Sequence, residues 1–505
     1  MTDGISSAVA DFTEKPTSIE TLTELCNAFQ ANEVQRAPKN VHPLPYHYGY
    51  SEINQTLRQR LVDTLSSFAG GNNQAAAILS ISVQMRLHSA QSKHIQAICA
   101  SITPEDIAKL PAIALLEACN ILQAQRDWAK LSFCAKDGAH RANISVHQQY
   151  FYCDWFVLAG YKMLVPLFER NELASGHVDQ LEETMNSVTT VLPQGSKNRI
   201  FYRAVIANLR NDLDLAVDLA LEAQRAEGFV IGLFHRLECF VNPMTIADAK
   251  SAGLNELHES CQHNLIHDSR NDPVLLISTD QNYFSKFFGS LLESFAYWNP
   301  GGLLHLHCVA FAPDPSSLKA FEAQHGVRIN YSTDEQGLVP KGSKNFNGYC
   351  AGARYIHLPY YLEHYGWIII TDIDGVIRSD IGKAWHHNQN AILLTGKPLD
   401  PKWKSTRLIW ETFAAGSFGI ARTPKNQQFA TVLANYLCSQ IFASNNTGTP
   451  FFCTDQIGLL LGYLRFKNQC IFEPCQRLYA QGGNWRFSEQ DGKSIAQGKM
   501  DFRKK

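Results

Sequence analysis

The spacing of apolar and polar residues changes near the middle of the chain. From about residue 16 to residue 260, apolar residues recur three or four positions apart, as in Ile19, Leu22, Leu25 and Phe29. Beyond about residue 272, short apolar runs of strand length alternate with longer segments of helical periodicity. The first pattern predicts an all-α region, and the second predicts an α/β domain with a mostly parallel sheet and helices on both faces.

The clearest signal in the first region is a helical hairpin. One apolar stripe runs from Phe201 to Leu209, and a second follows the polar turn 210–212. The second stripe contains small residues such as Ala216 and Ala220, which resembles a tetratricopeptide-type unit. The period does not repeat cleanly along the region. A degenerate repeat array that binds a partner and an irregular all-α domain therefore both remain open.

The second region contains five apolar runs bounded by polar or turn-forming residues. These runs predict strands at 274–279, 306–311, 327–332, 367–371 and 391–395. The segments between them predict helices at 283–297, 315–324 and 347–365. Ligands of such sheets bind beyond the carboxyl ends of the strands, so the residues that follow these runs are the first candidates for a site.

These patterns divide the 505 residues into four parts. The predicted parts are an N-terminal helix with an extended connection (1–45), an all-α helical-hairpin domain (46–260), an α/β sheet domain (272–490) and a polar C-terminal tail (491–505). An apolar content of 45% is enough for each of the two large domains to bury its own core.

Charge and composition exclude several classes of protein. A net charge of -2 gives no electrostatic footprint for nucleic acid. The 13 cysteines include no Cys-x-x-Cys pair, which favours reduced thiols over a disulfide framework or a zinc ribbon. The start of the chain shows no signal-peptide pattern. The apolar segment 150–168 contains Asp154, Lys162 and Pro166, which favours a buried helix over a membrane span. We expect a soluble, cytoplasmic protein.

Two carboxylates directly follow a predicted strand of bulky apolar residues. Asp372 and Asp374 come after the run 367–371 and before Gly375. Because side chains alternate along an extended segment, both are expected on the same side of the chain. Two such carboxylates repel each other unless a cation lies between them, which predicts a divalent metal with a bound diphosphate. An ordinary strand followed by a polar turn would give the same pattern.

The residues after the first predicted strand suit a nucleotide. Thr279 and Asp280 end that run, and Asn282 and Tyr283 begin the next helix. The acid and the amide could hydrogen-bond a base or ribose, and the tyrosine ring offers a surface on which a base can stack. Asp and Asn are also common helix caps, which is the purely structural interpretation.

Three later segments add further candidates. Arg354 is a possible ligand for a carboxylate or phosphate, although a solvated surface arginine is equally compatible with the pattern. Small residues at Ala415 and Gly416, ahead of a predicted strand, would allow a ligand to approach the backbone, and a tight turn would give the same pattern. Asp455 and Gln456 begin an apolar helix, where Asp455 is either an N-terminal cap or an active-site carboxylate.

In this order and spacing, the five motifs resemble those of nucleotide-sugar-dependent glycosyltransferases of the GT-A fold, a Rossmann-like fold. They are most similar to the retaining family that contains bacterial lipopolysaccharide galactosyltransferases and glycogenin. The resemblance covers about residues 272–484. It implies transfer of a hexose from a nucleoside diphosphate sugar, a UDP-sugar in that family, to a glycan, lipid-linked or protein acceptor.

The resemblance also implies a role for each motif. Asp372 and Asp374 match the pair that binds manganese, or magnesium in its place, together with the diphosphate. The remaining matches are Thr279, Asp280, Asn282 and Tyr283 around the uridine, Arg354 near the donor, and Ala415, Gly416, Asp455 and Gln456 along the sugar and acceptor side. Among these, Arg354, Asp455 and Gln456 are the candidates for a catalytic role.

Two departures from the family pattern keep other functions open. Ala414 stands where the family usually has asparagine, and no histidine follows His387 to supply a late metal ligand; the segment 481–485 lies in its place. A catalytically inactive nucleotide-sugar binding or scaffold protein with a helical partner-binding domain is the main alternative. A nucleotidyltransferase would need a basic glycine-rich loop, which 279–284 lacks. The helical domain could bind a protein, a glycan or a second copy of the chain.

Overall fold

The computed structural model contains two compact units, the helical unit Met1–Leu237 and the sheet unit Glu238–Lys505. It describes residues 3–14, 18–36, 53, 55–69, 73–87, 89–170, 172–226, 246, 249, 254–268, 272–335, 337–343, 345–377, 379–383, 389–396, 398–399, 409, 412–447 and 453–475. The predicted connection before residue 45, the tail 491–505, His387 and the segment 481–485 lie outside the described residues.

All regular elements in the described part of the helical unit are helices. They are α1 (Asp3–Glu14), α2 (Ile19–Arg36), α3 (Gln55–Ala69), α4 (Gln74–Arg86), α5 (Ser92–Ser101), α6 (Pro104–Ile107), α7 (Ala112–Ala124), α8 (Trp128–Ala139), α9 (Val146–Glu169), α10 (Ser175–Val188) with the 3-10 turn Thr189–Val191, α11 (Lys197–Leu209) and α12 (Leu213–Arg225). The predicted hairpin is confirmed as α11 and α12, which pack against each other.

Helix α9 contains the apolar segment that was compared with a membrane span. Its Asp154 is buried and accepts hydrogen bonds from the Tyr202 hydroxyl and from Asn198 Nδ2 on α11, the latter at 3.2 Å. Burial raises the pKa of Asp154 to about 8 although both hydrogen bonds favour the ionised form. Among the described helices, none has the length and apolarity that a membrane crossing requires.

The sheet unit alternates strands and helices, as the pattern predicted. Its elements are α13 (Leu254–Ser260), β1 (Gln262–Asn264), β2 (Pro273–Thr279), α14 (Gln281–Trp298), β3 (Leu303–Val309), α15 (Pro315–His325), β4 (Arg328–Asp334), α16 (Phe346–Ile356), α17 (Leu358–His364), β5 (Trp367–Thr371), β6 (Ala391–Gly396), β7 (Phe413–Ala421), α18 (Pro424–Thr447), α19 (Thr454–Phe466) and β8 (Ile471–Pro474). The five predicted strands are confirmed as β2 to β6.

One predicted helix is wrong as a single element. The segment 347–365 forms α16 and α17, which meet at His357. Pro359 is in the first turn of α17. A proline there has no N–H to donate, and its ring would clash with a carbonyl of a preceding helical turn, which favours a break in the helix at this point.

The sheet is mixed, with the strand order β1-β4-β3-β2-β5-β7-β6-β8. Strands β4, β3, β2 and β5 are parallel to their neighbours in this series, whereas β7 is antiparallel to both β5 and β6. From β2 the chain adds β3 and β4 on one side and later adds β5 on the other. The order therefore reverses between β2 and β5, and the crevice at their carboxyl ends is where such sheets bind ligands.

Candidate functional site

Arg354 and Asp372 form the centre of the candidate site. Arg354 lies near the end of α16 and is almost fully buried, while Asp372 follows β5 and its side chain is 51% exposed. Arg354 Nη2 lies 2.6 Å from Asp372 Oδ1, and Arg354 Nη1 donates to the carbonyl of Thr371 at 2.6 Å. Burial alone would lower the pKa of Arg354, but the neighbouring acids Asp372 and Asp455 help to raise it. The guanidinium therefore stays charged and fixes the end of β5.

Gly416 gives the Asp372 carboxylate the space that it occupies. A Cβ atom at residue 416 would lie 2.2 Å from Asp372 Oδ2 and 3.0 Å from its Cγ. Only glycine is compatible with that approach. The sequence predicted that a ligand would come close to the backbone here, whereas the structure shows an acidic side chain doing so. The small residues also lie within strand β7, and not in a turn or ahead of the strand.

A bulge in β7 presents these small residues to the site. On the β6 side, Leu394 pairs with Phe418 but Thr395 pairs with Ala414, so residues 415–417 have no partner on β6. Bulges of this kind bend a strand and redirect its groups. The carbonyl of Ala415 accepts hydrogen bonds from Arg354 Nη2 at 3.3 Å and from the Tyr355 hydroxyl at 2.5 Å. The bulge and α16 are thereby joined at one carbonyl oxygen.

Asp374 lies two residues after Asp372, in a turn that follows the end of strand β5. Strand β5 ends at Thr371, and the residues around Asp374 form a turn in which the Gly375 N–H donates to the Asp372 carbonyl at 3.3 Å. The expectation that both aspartates share an extended segment is therefore wrong. Ile373 between them is buried while both aspartates are more exposed. The two carboxylates thus avoid the core even without strand alternation.

Asp455 and Gln456 lie in the first turn of α19. Asp455 Oδ1 accepts from the Gln456 backbone N–H at 2.9 Å, and Cys453 occupies the capping position without a side-chain cap. Burial raises the pKa of Asp455, which Arg354 opposes and Asp372 reinforces. Asp455 is therefore electrostatically coupled to the Arg354–Asp372 pair and is not the cap of its helix. Within the described ranges, the buried Oε1 atom of Gln456 has no hydrogen-bond partner.

The end of β2 supplies the predicted nucleotide-facing residues. Asp280 caps α14 by accepting from the Tyr283 N–H at 2.8 Å, and Thr279 Oγ1 donates to the Asp280 carbonyl at 3.0 Å. Asn282 and Tyr283 are exposed, and the Tyr283 side chain keeps 42% of its surface accessible. The capping interpretation of Asp280 is correct, and it orients the turn from which Asn282 and Tyr283 project. Strand β2 neighbours β5, so this turn lies at the same sheet edge as Asp372.

The available ligands at Asp372 and Asp374 are oxygen atoms. Among the described residues, no histidine, cysteine or further acid joins these two aspartates in a cluster of three potential metal ligands. A hard cation such as Mn²⁺ or Mg²⁺ commonly uses one or two carboxylates and completes its shell with phosphate and water. The donor set fits such an ion with a bound diphosphate and does not fit a closed, all-protein site.

Sequence reasoning missed two features of the site. Tyr355 was not a candidate, although its buried hydroxyl donates to the Ala415 carbonyl beside Arg354. The β7 bulge was also missed, because the sequence 413–421 gives no signal of where pairing with β6 is interrupted. The adjacency of Tyr355 to Arg354 on one helix was the only available signal, and adjacent helical residues usually face different directions.

Comparison with known proteins leaves the family open. No protein-family model matches the chain, and no curated protein matches it. Mouse xyloside xylosyltransferase 1 in its apo form is 11% identical with a TM-score of 0.27, over 41% of this chain and 85% of that one. The apo structure of the WbbM bifunctional glycosyltransferase is 11% identical with a TM-score of 0.26, over 72% of this chain and 73% of that one. Both are glycosyltransferases by name, but at these TM-scores neither similarity supports an assignment.

Proposed function

We propose that the protein is a metal-dependent glycosyltransferase that moves a sugar from a UDP-sugar to an acceptor hydroxyl. The observation that carries this proposal is the meeting of Asp372, Arg354 and Gly416 at the carboxyl end of β5. That end lies beside β2, where the order of the sheet reverses and nucleotides bind in related sheets. These groups come from three segments that are far apart in the sequence. A polar turn without a function would not need such an arrangement.

Asp372 and Asp374 are the proposed holders of Mn²⁺ or Mg²⁺. When bound with the diphosphate, such an ion stabilises the negative charge that develops on the departing phosphate. Arg354 engages Oδ1 of Asp372, so Oδ2, in the space left by Gly416, is the oxygen available to a cation. The arginine also restricts the rotation of Asp372 and thereby pre-orients that oxygen.

The nucleoside is proposed to lie against the first turn of α14. Tyr283 presents an exposed ring for stacking, and Asn282 beside it offers an amide for the base or ribose. Asp280 holds the backbone of this turn through its capping hydrogen bond. Its own role is therefore to position the two exposed residues, and any direct contact with the ribose would use its remaining lone pairs.

The sugar is proposed to lie between the β7 bulge and the start of α19. Gln456 Oε1 is buried without a partner, and such an atom gains a hydrogen bond when a sugar hydroxyl approaches. Asp455 is coupled to Arg354 and lies where it could flank the anomeric carbon. Ala415 and Gly416 have no bulky side chains that would occupy the space of the sugar.

The acceptor is proposed to be a glycan, a lipid-linked sugar or a protein. The helical unit contains paired helices of the kind that bind proteins, and we propose recruitment of the acceptor or self-association as its role. Because this role needs no residue of the sheet unit, binding of the acceptor and self-association can be tested with a variant that keeps the helical unit and lacks the sheet unit.

A binding protein without turnover is the second candidate, and one observation favours it. Asp372 already has a cationic partner in Arg354 at 2.6 Å, so the charge of this one carboxylate is balanced without a metal ion. Ala414, in place of the family's asparagine, also removes a polar contact. Such a protein would bind the nucleotide sugar equally well with and without Mn²⁺.

The deciding experiment is donor turnover. We would incubate purified full-length protein with a panel of nucleotide sugars, with Mn²⁺ or with chelator, and measure the free nucleoside diphosphate. We expect metal-dependent release from a UDP-sugar that falls about 100-fold or more in Asp374→Ala. Binding that is unaffected by chelator, with no release across acceptor extracts, would establish the second candidate. No binding of any donor would contradict both.

A further inference from the structure

A second cluster of potential metal ligands lies in the sheet unit. Cys261 precedes β1, Asp334 ends β4, and His357 joins α16 to α17. All three are buried, and their ligand atoms lie within 4.8 Å of one another. In the part of the chain that the structure describes, no other group of three or more such residues meets that distance. None of the three belongs to the nucleotide-sugar site proposed above.

The imidazoles of this cluster have unused nitrogen atoms. His357 is fully buried, and neither of its ring nitrogens has a hydrogen-bond partner among the residues that the structure describes. His307 on β3 is also fully buried, its Nε2 has no partner, and its ring centroid lies 4.4 Å from that of His357. Buried polar atoms without partners are costly and rare in folded proteins. An unused pair of histidines beside a thiol and a carboxylate therefore indicates a missing ligand.

We propose that Cys261, Asp334 and His357 bind one Zn²⁺ ion, whose fourth position a water molecule or the neighbouring His307 would fill. Zinc accepts sulfur, nitrogen and oxygen donors in a tetrahedral arrangement. Bond lengths of about 2.0 to 2.3 Å place neighbouring donors about 3.3 to 3.6 Å apart in such a site. The ligand atoms of Cys261, Asp334 and His357 all lie within 4.8 Å of one another, so each pair must approach by at most about 1.5 Å, which side-chain rotation can supply.

The surroundings hold these ligands in place. Asp334 Oδ1 accepts from the Gly337 N–H at 2.8 Å, and its other oxygen accepts from the Tyr349 hydroxyl. His307 Nδ1 lies 2.7 Å from the Tyr361 hydroxyl, which leaves Nε2 for the metal. Partners of this kind orient metal ligands and tune their basicity. A carboxylate that accepts two hydrogen bonds still has free lone pairs for a cation.

The chemistry of this cluster separates it from the aspartate pair. A thiolate and imidazoles favour zinc, whereas the oxygen-only donors of Asp372 and Asp374 favour Mn²⁺ or Mg²⁺. The role implied is structural, because the ion would tie β1, β4 and the junction of α16 and α17 together. Helix α16 also contains Arg354, three positions before His357, so the ion would fix the helix that holds Asp372.

Metal analysis tests the proposal without any activity assay. We would strip the full-length protein with chelator, dialyse it against Zn²⁺ with excess Mg²⁺, and measure bound zinc by mass spectrometry. We expect about one equivalent, retained in Asp374→Ala, which separates this site from the proposed diphosphate site. In parallel, Co²⁺ added to the stripped protein should give the absorption of tetrahedral cobalt with a thiolate charge-transfer band.

Substitutions identify the ligands. Cys261→Ser and His357→Asn should each weaken zinc affinity about 10-fold or more, and Cys261→Ser should remove the thiolate band. Cys308→Ala is the matched control, because Cys308 is a buried thiol on the neighbouring strand β3 and lies outside the cluster. Wild-type protein that binds no zinc and gives no cobalt spectrum would overturn the proposal, and that measurement does not depend on any variant folding. An unchanged thiolate band in Cys261→Ser would also overturn it.

Discussion

The guanidinium of Arg354 and the carboxylate of Asp372 are 2.6 Å apart, yet they differ sharply in their access to solvent. Arg354 is enclosed between α16, β5 and β7, while half of the Asp372 side chain faces water. A buried charge is stable only with close partners, and Arg354 has them in one carboxylate and two backbone carbonyls. The exposed half of Asp372 is the part that a cation or a phosphate can reach.

The first prediction concerns the stability of the sheet unit. Arg354→Gln removes the guanidinium donors to the Thr371 and Ala415 carbonyls and the cationic partner of Asp372, while the Ala415 carbonyl keeps its hydrogen bond from the Tyr355 hydroxyl. We expect the free energy of unfolding of this unit to fall by about 2 to 3 kcal/mol, measured by urea denaturation. Arg422→Gln is the control, because Arg422 is exposed at the end of β7 and should change the value by less than about 0.5 kcal/mol. Equal effects in the two variants would contradict this account.

The second prediction concerns the space beside Asp372. Gly416→Ala adds a methyl group that would lie 2.2 Å from Asp372 Oδ2, so the carboxylate must move. A displacement of about 1 Å in a catalytic group can cost about 100-fold in rate, and we expect a loss of 10-fold to 100-fold in metal-dependent donor turnover. Gly289→Ala on α14 is the control, since its added atom meets nothing within 4 Å. Full activity in Gly416→Ala would show that Asp372 needs no fixed position.

The third prediction concerns the nucleoside. Tyr283→Ala removes the exposed ring at the start of α14, and we expect UDP to bind about 10-fold to 100-fold more weakly by calorimetry. Tyr283→Phe should retain most of the affinity because stacking needs only the ring. Tyr297→Ala is the control, since Tyr297 is 54% exposed on the same helix but far along it from the β2 end. Weaker binding in both alanine variants would indicate a general effect on α14.

The fourth prediction concerns pH and the helical unit. Burial raises the pKa of Asp154 from 3.8 to about 8, so the folded state holds a proton that the unfolded state has already released between these values. Stability must therefore fall as pH rises through this window, by at most about 1.4 kcal/mol per pH unit, and level off above it. Asp154→Asn cannot ionise, and we expect its urea midpoint to be less dependent on pH than that of wild type.

The control for this prediction is Asp218→Asn, which alters an exposed carboxylate on α12. It should leave the dependence of the midpoint on pH as it is in wild type. If Asp154→Asn retained the wild-type pH dependence, the proton would have to reside elsewhere in the unit.

The predictable part of the fold is the part with strong local signals. Strand β5 was predicted with its observed bounds because four consecutive apolar residues and a β-branched threonine, between turn-forming neighbours, have few alternatives. The hairpin of α11 and α12 was likewise visible in two stripes and a polar turn. The short edge strand β1 was missed because three half-exposed polar residues give no periodic signal.

The site was predictable in its residues but not in its contacts. Arg354 was proposed as a partner for a carboxylate or phosphate, and the structure shows that Asp372 is one such partner. No sequence signal specifies that pairing, because it depends on the tertiary packing that brings Arg354 on α16 to Thr371 of β5 and Ala415 of β7. The zinc cluster was missed for the same reason, since Cys261, Asp334 and His357 are far apart in the chain and meet only through tertiary packing.

The bulge at residues 415–417 also limits where strand β7 can tolerate a deletion or an insertion. Strand β7 pairs with β5 through Thr371 and Ser417, and beyond the bulge it pairs with β6 through Thr395 and Ala414. Deleting one bulge residue would shift one of these ladders by one position and turn its side chains to the opposite face. The spacing from Ala414 to Phe418 should therefore stay constant among functional variants.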